Sequence, residues 1–422
     1  MTHVVPSQSS SLDDWLCYLE SIHPSNIDMG LTRVRQVGEK QGYTSLPNVI
    51  LIAGTNGKGT TARCLEAILL SQGYSVGTYA SPHLIRYNER VRINGAELPD
   101  QDHVDAFHAL EQGRGDISLT YFEFGTLAAL EVFKQKKPDY ILLEVGLGGR
   151  LDATNIVEPI ASVITTIDLD HKEYLGDTRE LVGREKAGIF RAHAPAIVGD
   201  LAIPNSIWQY AEELGTQVIA AQRDYSFELS NDALDYKNDK LAFQLPVPNI
   251  PAQNVATAIT TLDTLGLLPN EQTLREVLTN LTVEGRFQRL SEKPLVYADV
   301  AHNPESARYL AAKLAQLKAC GKNVIALTGM LQDKDQKAVF NAVKAQVDEW
   351  HLATLSCFRG DKAENLSVNL QSEIESPKLS LHASVAQGLN TILNTMDDED
   401  LLIVFGSFYT VADVIAFWQN KE

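Results

Sequence analysis

The stretch Gly54-Thr55-Asn56-Gly57-Lys58-Gly59-Thr60-Thr61 constrains this chain more than any other. The apolar run Val49-Ile50-Leu51-Ile52 leads into it, and a helical pattern over Thr61 to Gln72 leaves it and stops at Gly73. A strand that turns through glycines into a helix beginning with lysine is a cradle for a nucleotide phosphate. The glycines let backbone N–H groups close around the anion, and the helix N-terminus adds a favourable dipole. In that reading Lys58 reaches the outer phosphates and Thr60 or Thr61 offers a hydroxyl to Mg²⁺. The common pattern has Ser or Thr directly after the lysine, whereas here Gly59 intervenes. A plain glycine-rich connector is the bland alternative; the strand–loop–helix context favours a phosphate loop.

A chain of 422 residues exceeds one ordinary core, so more than one domain is expected. The net charge of −18 argues against general nucleic-acid binding, which needs a basic face to displace counterions. Cys17, Cys64, Cys320 and Cys357 are scattered, without paired metal spacing or a disulfide framework. The polar segment Met1 to Ser11 has no apolar signal core, and no apolar run approaches the roughly 20 residues that span a bilayer. A monomeric, cytoplasmic protein without membrane or nucleic-acid partners is the expectation.

Alternation of apolar runs with helical patterns continues past the loop and implies a largely parallel, doubly wound sheet. Strands are expected at 74–79, 140–146, 162–167 and 196–199, with antiparallel hairpins between Tyr225 and Leu245. Just after Gly285-Arg286-Phe287 the alternation restarts, with strands at 296–300, 324–328, 350–355 and 401–405. The fold class is therefore α/β, with two doubly wound, Rossmann-like domains. The first, 1–287, is of the phosphate-loop ATPase type, and the smaller second, 288–422, lacks a lysine-containing phosphate loop.

Several positions between these elements invite chemistry. Glu144 sits near the end of a buried strand beside the loop, a fitting place for a carboxylate facing Mg²⁺. The run Gly146-Leu147-Gly148-Gly149-Arg150-Leu151-Asp152 suggests close backbone approach to a ligand. Arg86, Arg90 and Arg92 form an arginine-rich segment, read either as solvated charge or as an anion-facing patch. Ile27-Asp28-Met29 gives a connector unusual apolar content. Alone, His171 reads as a polar loop residue and Lys186 as half of a surface ion pair with Glu185.

Taken together, these motifs resemble the folylpolyglutamate synthase/dihydrofolate synthase family, within the ATP-dependent Mur-ligase group. The resemblance rests on Gly54 to Thr60, Ser81-Pro82-His83-Leu84, Thr120-Tyr121-Phe122-Glu123-Phe124-Gly125 and Leu143 through Asn155. It continues through Asp170-His171, Glu185-Lys186-Ala187-Gly188-Ile189, Gly285-Arg286-Phe287 and Asp299-Val300-Ala301-His302-Asn303-Pro304. These span most of the chain in the family's order, and Gly59 is normal there.

The resemblance implies an ATP site shared by the two domains, with Thr55, Asn56, Gly57, Lys58, Gly59 and Thr60 on the phosphates and Asn254, Arg286 and Asp299 on the nucleotide. It implies Thr60, Ser81, Glu144 and His171 as Mg²⁺ ligands over two sites, with Lys186 carbamylated, therefore anionic, and helping to bind the metal. Ile27, Asp28, Met29, Thr120, Tyr121, Phe122, Glu123, Leu151, Asp152 and Ala153 would contact a pterin. Lys58, Lys186, Arg286 and His302 would carry catalysis, with His302 either a base or, beside the helix start at Asn303-Pro304, mainly architectural. The implied reactions join L-glutamate to dihydropteroate and to reduced folates through an acyl phosphate. A monofunctional folylpolyglutamate synthase, a peptidoglycan-precursor ligase and an ATP-driven binding module are the alternatives.

Overall fold

The computed structural model describes residues 4–25, 27–357 and 359–419; Met1 to His3 of the polar N-terminal segment, and Asn26 beside Ile27, lie outside it. The chain divides into two compact units, Met1–Leu281 and Thr282–Glu422, so Gly285-Arg286-Phe287 belongs to the second.

The first unit is built on eight strands: β1 (Val49–Ala53), β2 (Val76–Tyr79), β3 (Val91–Ile93), β4 (Ala96–Glu97), β5 (Tyr140–Glu144), β6 (Ala161–Ile164), β7 (Ala196–Val198) and β8 (Val218–Ala220). Their order in the sheet is β4-β3-β2-β5-β1-β6-β7-β8. The six from β2 to β8 in that order run parallel, and β3 and β4 add an antiparallel edge. All five residues of β1 are buried, as expected of an unbroken aliphatic run with both sheet faces covered. From β1 the chain goes first to β2 and later to β6, on opposite sides of it, with β5 inserted beside β1. This reversal is the place where open α/β sheets gather ligand-binding loops at the strands' C-terminal ends. A separate antiparallel sheet, β11 (Ala242–Leu245), β10 (Leu234–Asn238) and β9 (Tyr225–Leu229), matches the expected hairpins.

The second unit holds β12 (Gln288–Glu292), β13 (Leu295–Asp299), β14 (Asn323–Thr328), β15 (Glu349–Ala353), β16 (Leu379–His382) and β17 (Asp400–Phe405). They lie in the order β12-β13-β17-β14-β15-β16, with only β12 antiparallel to its neighbour. Its core joins Trp350, Phe340 and Phe405 to the aliphatic faces of the flanking helices. Both domains are thus mixed α/β folds with largely parallel sheets. Among the described residues no helix is long and apolar enough to cross a membrane.

The three arginines of the arginine-rich segment each have a partner within the protein. Arg86 donates to Glu97 at 2.7 Å, Arg90 to His83 Nδ1 at 2.8 Å and Arg92 to Glu66 at 3.0 Å. Its residues enter a 3₁₀ turn and the strand β3, which aim successive side chains in different directions. Glu66, 1% exposed on the helix Lys58–Ser71, also accepts from Thr78 Oγ1 at 2.9 Å and from Arg63, so it fastens that helix to β2 and β3. Strands β3, β4, β8, β12 and β16 and the helices Arg179–Ala187, Ala363–Gln371 and Val385–Leu393 go beyond the elements expected from the sequence. Most of these strands are too short to show a period.

One buried histidine gives the first unit a pH signature. His103 is 2% exposed, its ring stands edge-on to Tyr87 at 5.3 Å, and its Nε2 has no hydrogen-bond partner. Burial pushes its pKa from 6.5 down to about 4, against a smaller opposing pull from Asp100 and Asp102. Between those values the unfolded chain binds a proton that the folded chain refuses, so stability is present above pH 6.5 and is lost as pH falls toward 4. His103→Phe keeps a ring in the site and should flatten this acid loss by up to about 3 kcal/mol, measured by denaturant unfolding across pH 4–7.

Candidate functional site

The phosphate loop is held by the strand beside it before any ligand is considered. Thr55 N donates to Thr166 O at 2.8 Å, Asn56 N to Thr166 Oγ1 at 3.0 Å, and Thr165 Oγ1 to Asn56 O at 2.6 Å. Thr55 Oγ1 and the Asp168 backbone exchange two further bonds, of 3.0 and 2.9 Å. Thr165 and Thr166 follow β6, so the sheet's switch point itself shapes the loop. Lys58 Nζ donates to Gly54 O at 3.0 Å and Thr55 O at 3.3 Å, which places the ammonium across the loop. Gly57 caps the helix with φ of 81°, a left-handed conformation, and a Cβ there would stand 2.2 Å from Asn254 Nδ2. Asn254 is 4% exposed and donates to Gly57 O at 3.1 Å and Thr61 Oγ1 at 2.9 Å, so its amide braces the loop.

Gly59 has a structural reason. A Cβ built on it would stand 3.2 Å from Glu144 Oε2, tighter than ordinary contact. The absent side chain is what lets the Glu144 carboxylate lie against the first turn of the loop helix. Glu144 ends β5, is 6% exposed, and accepts from Ser81 N at 3.3 Å. Thus Gly59, the buried Thr60, Ser81 and Glu144 converge at the C-terminal ends of β1, β2 and β5. One carboxylate with nearby hydroxyls is a hard oxygen set, of the kind that shares Mg²⁺ with substrate phosphates instead of caging it alone. No group of three or more His, Cys, Asp or Glu is placed to hold a metal among the described residues. His171, with φ of 49°, precedes the short helix Lys172–Leu175, and its N–H donates to Asp170 Oδ1 at 2.9 Å. Lys186 is 2% exposed, and Glu185 pairs with Arg150 at 2.8 Å. A lysine this buried is rare and departs from the surface role its sequence context suggests.

The glycines at 146–149 serve packing within the protein. A Cβ on Gly146 would meet the Phe122 ring at 2.4 Å, one on Gly148 the Leu175 side chain at 2.8 Å, and one on Gly149 the Glu185 carbonyl at 2.8 Å. They draw Phe122 and the helix carrying Lys186 onto one loop. In that loop Asp152, 3% exposed, accepts from Leu147 N at 2.8 Å, Thr154 N at 3.0 Å and Thr154 Oγ1 at 2.6 Å. Burial raises its pKa, and these bonds oppose the rise. Leu151 is half-buried and Ala153 buried beside it. Thr120 and Glu123 form a capping box at the start of the helix Tyr121–Lys136, and the Phe122 ring also packs on Tyr79 at 6.2 Å. Tyr121 lies under the Arg90 guanidinium at 5.5 Å. Ile27 is 39% exposed, and Asp28 pairs with Arg33 at 2.8 Å.

In the second unit Asp299 ends β13, 6% exposed, and accepts from Phe287 N and Ala301 N at 2.8 Å each. Burial raises its pKa and the neighbouring Arg286 guanidinium opposes that rise. Arg286 also lies over the Phe408 ring at 5.5 Å. His302 Nδ1 faces Val300 O at 2.8 Å. A carbonyl can only accept, so Nδ1 carries the proton and Nε2 is the basic nitrogen of the neutral ring. Asn303 and Pro304 then start the helix Pro304–Ala319 through a capping box. In the first unit, Arg33, Thr165, Thr166 and Glu89, whose carboxylate accepts from Leu84, Ile85 and Arg86 N–H groups, complete that unit's scaffold without any motif of their own.

Family models match both units: the Mur ligase middle domain over residues 52–260 and the Mur ligase glutamate ligase domain over residues 285–408. The protein is thus a Mur-type ligase. Among characterised relatives, the dihydrofolate synthase/folylpolyglutamate synthase of Haemophilus influenzae is 44% identical, with 100% of each chain covered. The Escherichia coli enzyme FolC, solved in complex with DHPP and ADP, superposes with a TM-score of 0.94 at 44% identity, covering 99% of this chain and 100% of that one. The Yersinia pestis bifunctional folylpolyglutamate synthase/dihydrofolate synthase, solved with AMPPNP and Mn ion, gives a TM-score of 0.93 at 46% identity, with 99% and 100% covered. The chain belongs to the dihydrofolate synthase/folylpolyglutamate synthase family.

The loop geometry yields a graded expectation. Gly57→Ala forces a left-handed alanine and displaces Asn254, which should lower Tm by roughly 3–8 °C. Gly59→Ala asks only a small shift of Glu144, so it should spare Tm and weaken metal-dependent nucleotide binding. Thermal unfolding and nucleotide titration with and without Mg²⁺ check the pair; equal Tm losses would contradict the assignment of separate constraints.

Proposed function

We propose that this protein uses ATP to join L-glutamate to dihydropteroate, giving dihydrofolate, and to reduced folates, giving folylpolyglutamates. The observation that carries the reading is a phosphate loop opened at Gly59 to admit Glu144, in a chain of this family.

A carboxylate is too poor an electrophile to meet an amine directly. Transfer of the γ-phosphoryl group to it gives an acyl phosphate, which the glutamate amine attacks with loss of phosphate. The protein's task is alignment and charge neutralisation. Lys58 and the loop N–H groups, from Thr55 to Thr60, hold the phosphates. Thr60, Ser81 and Glu144, with His171 at a second position, would hold the divalent cation, which when bound neutralises phosphate charge. Asn254 braces the loop from below, while Arg286 and Asp299 are the second unit's nucleotide contacts. His302, with Nε2 basic, accepts a proton from the incoming amine. The pterin is taken by Ile27, Asp28, Met29, Thr120, Tyr121, Phe122, Glu123, Leu151, Asp152 and Ala153.

Burial of Lys186 supports its carbamylation. Its neutral amine adds to CO₂ and releases a proton, so the nitrogen ends in an anionic carbamate. That exchanges a buried cation for a group able to favour metal nearby. The protein acts as a monomer in the cytoplasm.

Purified protein with ATP, glutamate and dihydropteroate should release phosphate only when all three are present. Amino-acid-independent hydrolysis would instead indicate an ATP-driven switch, and turnover of reduced folate alone a monofunctional enzyme. Lys58→Ala should lower turnover at least about a hundred-fold. Lys186→Ala should be impaired and regain activity with short-chain carboxylic acids; full activity without them would defeat the carbamate proposal.

A further inference from the structure

Two of the segments proposed to take the pterin lie far apart in sequence and are joined by one guanidinium. Arg33 is at the start of the helix Thr32–Gln41. Its Nη1 donates to Asp28 Oδ2 at 2.8 Å, and its Nη2 to Asp28 O at 3.1 Å and Glu123 Oε1 at 3.0 Å. The Glu123 side chain is 5% exposed, and its other oxygen accepts from Thr120 N at 2.8 Å, closing the cap of the helix Tyr121–Lys136. Arg33 therefore holds the backbone and side chain of the loop at Asp28 with one hand and the helix cap with the other.

Among the described residues the loop has two further ties: Ser25 Oγ donates to Ile27 O at 2.7 Å, and His23 Nε2 lies 3.6 Å from Asp28 Oδ2, while Ile27 itself is 39% exposed. Met29 Cε lies 3.9 Å from the Cβ position of Gly148, on the loop that leads to Leu151.

We propose that Arg33 is a positioning residue for the pterin substrate: it couples the Ile27–Met29 loop to the Thr120–Glu123 helix start, so that both are preset before binding. This rests on the functional reading above. A planar fork can serve two acceptors at fixed angles, which a lysine cannot. Without it, ordering the loop becomes part of substrate binding and weakens affinity, while the phosphoryl-transfer groups stay as they were.

The test is steady-state kinetics on the full chain. Arg33→Met should raise KM for dihydropteroate about ten-fold or more, with KM for ATP unchanged and kcat changed far less. Arg33→Lys, which keeps the positive charge against buried Glu123, should fold normally and show an intermediate KM. In a double-mutant cycle with Asp28→Asn, effects on KM should be non-additive, because the two side chains act as one. Additive effects, or a fall in kcat with every KM unchanged, would overturn the coupling while leaving the functional reading standing. Absence of wild-type turnover with dihydropteroate would overturn both.

Discussion

Placing a carboxylate against the first turn of the phosphate-loop helix is the constraint on which the site depends. Glu144 is 6% exposed, and a buried carboxylate must find compensation close by. The Ser81 N–H supplies one hydrogen bond, and the helix N-terminus supplies positive potential. Reaching that position requires β5 to lie between β2 and β1, which the strand order provides, and it is eased by Gly59, where a Cβ would push the carboxylate by a few tenths of an ångström. Sheet topology and a single missing methyl group thus serve the same end.

Within each unit, polar groups proposed to bind ligands already hold the backbone. Asp152 and Asp299 engage main-chain N–H groups with both oxygens, Glu123 shares its oxygens between Thr120 N and Arg33, and Asn254 spans the loop. Such groups present a ligand with fixed geometry because their own rotamers are locked. The glycines at 146, 148 and 149 contribute by letting Phe122, Leu175 and the Glu185 carbonyl close onto one loop. The residues proposed to face ligands also hold the internal architecture, so their substitution should perturb both.

Local sequence carried the phosphate loop, the unbroken aliphatic strands, the hairpins of 225–245 and the restart of alternation after residue 287, because each has a period or a turn signal of its own. It carried the family as well, through motifs spread in order along the chain. The short strands β3, β8 and β16 had too few residues to show a period, and the segment Arg86 to Arg92 read as one charged run. Its arginines go to Glu97, His83 and Glu66 because partners far away in sequence determine where each can point.

The sequence by itself therefore determined the fold class, the energy source and the reaction family, all of which depend on local pattern and ordered motifs. Only the tertiary structure decided what Gly59 faces, that Lys186 is buried, and that Arg33 joins residues 28 and 123. Those facts are distances between segments remote in the chain, and no local pattern encodes a distance.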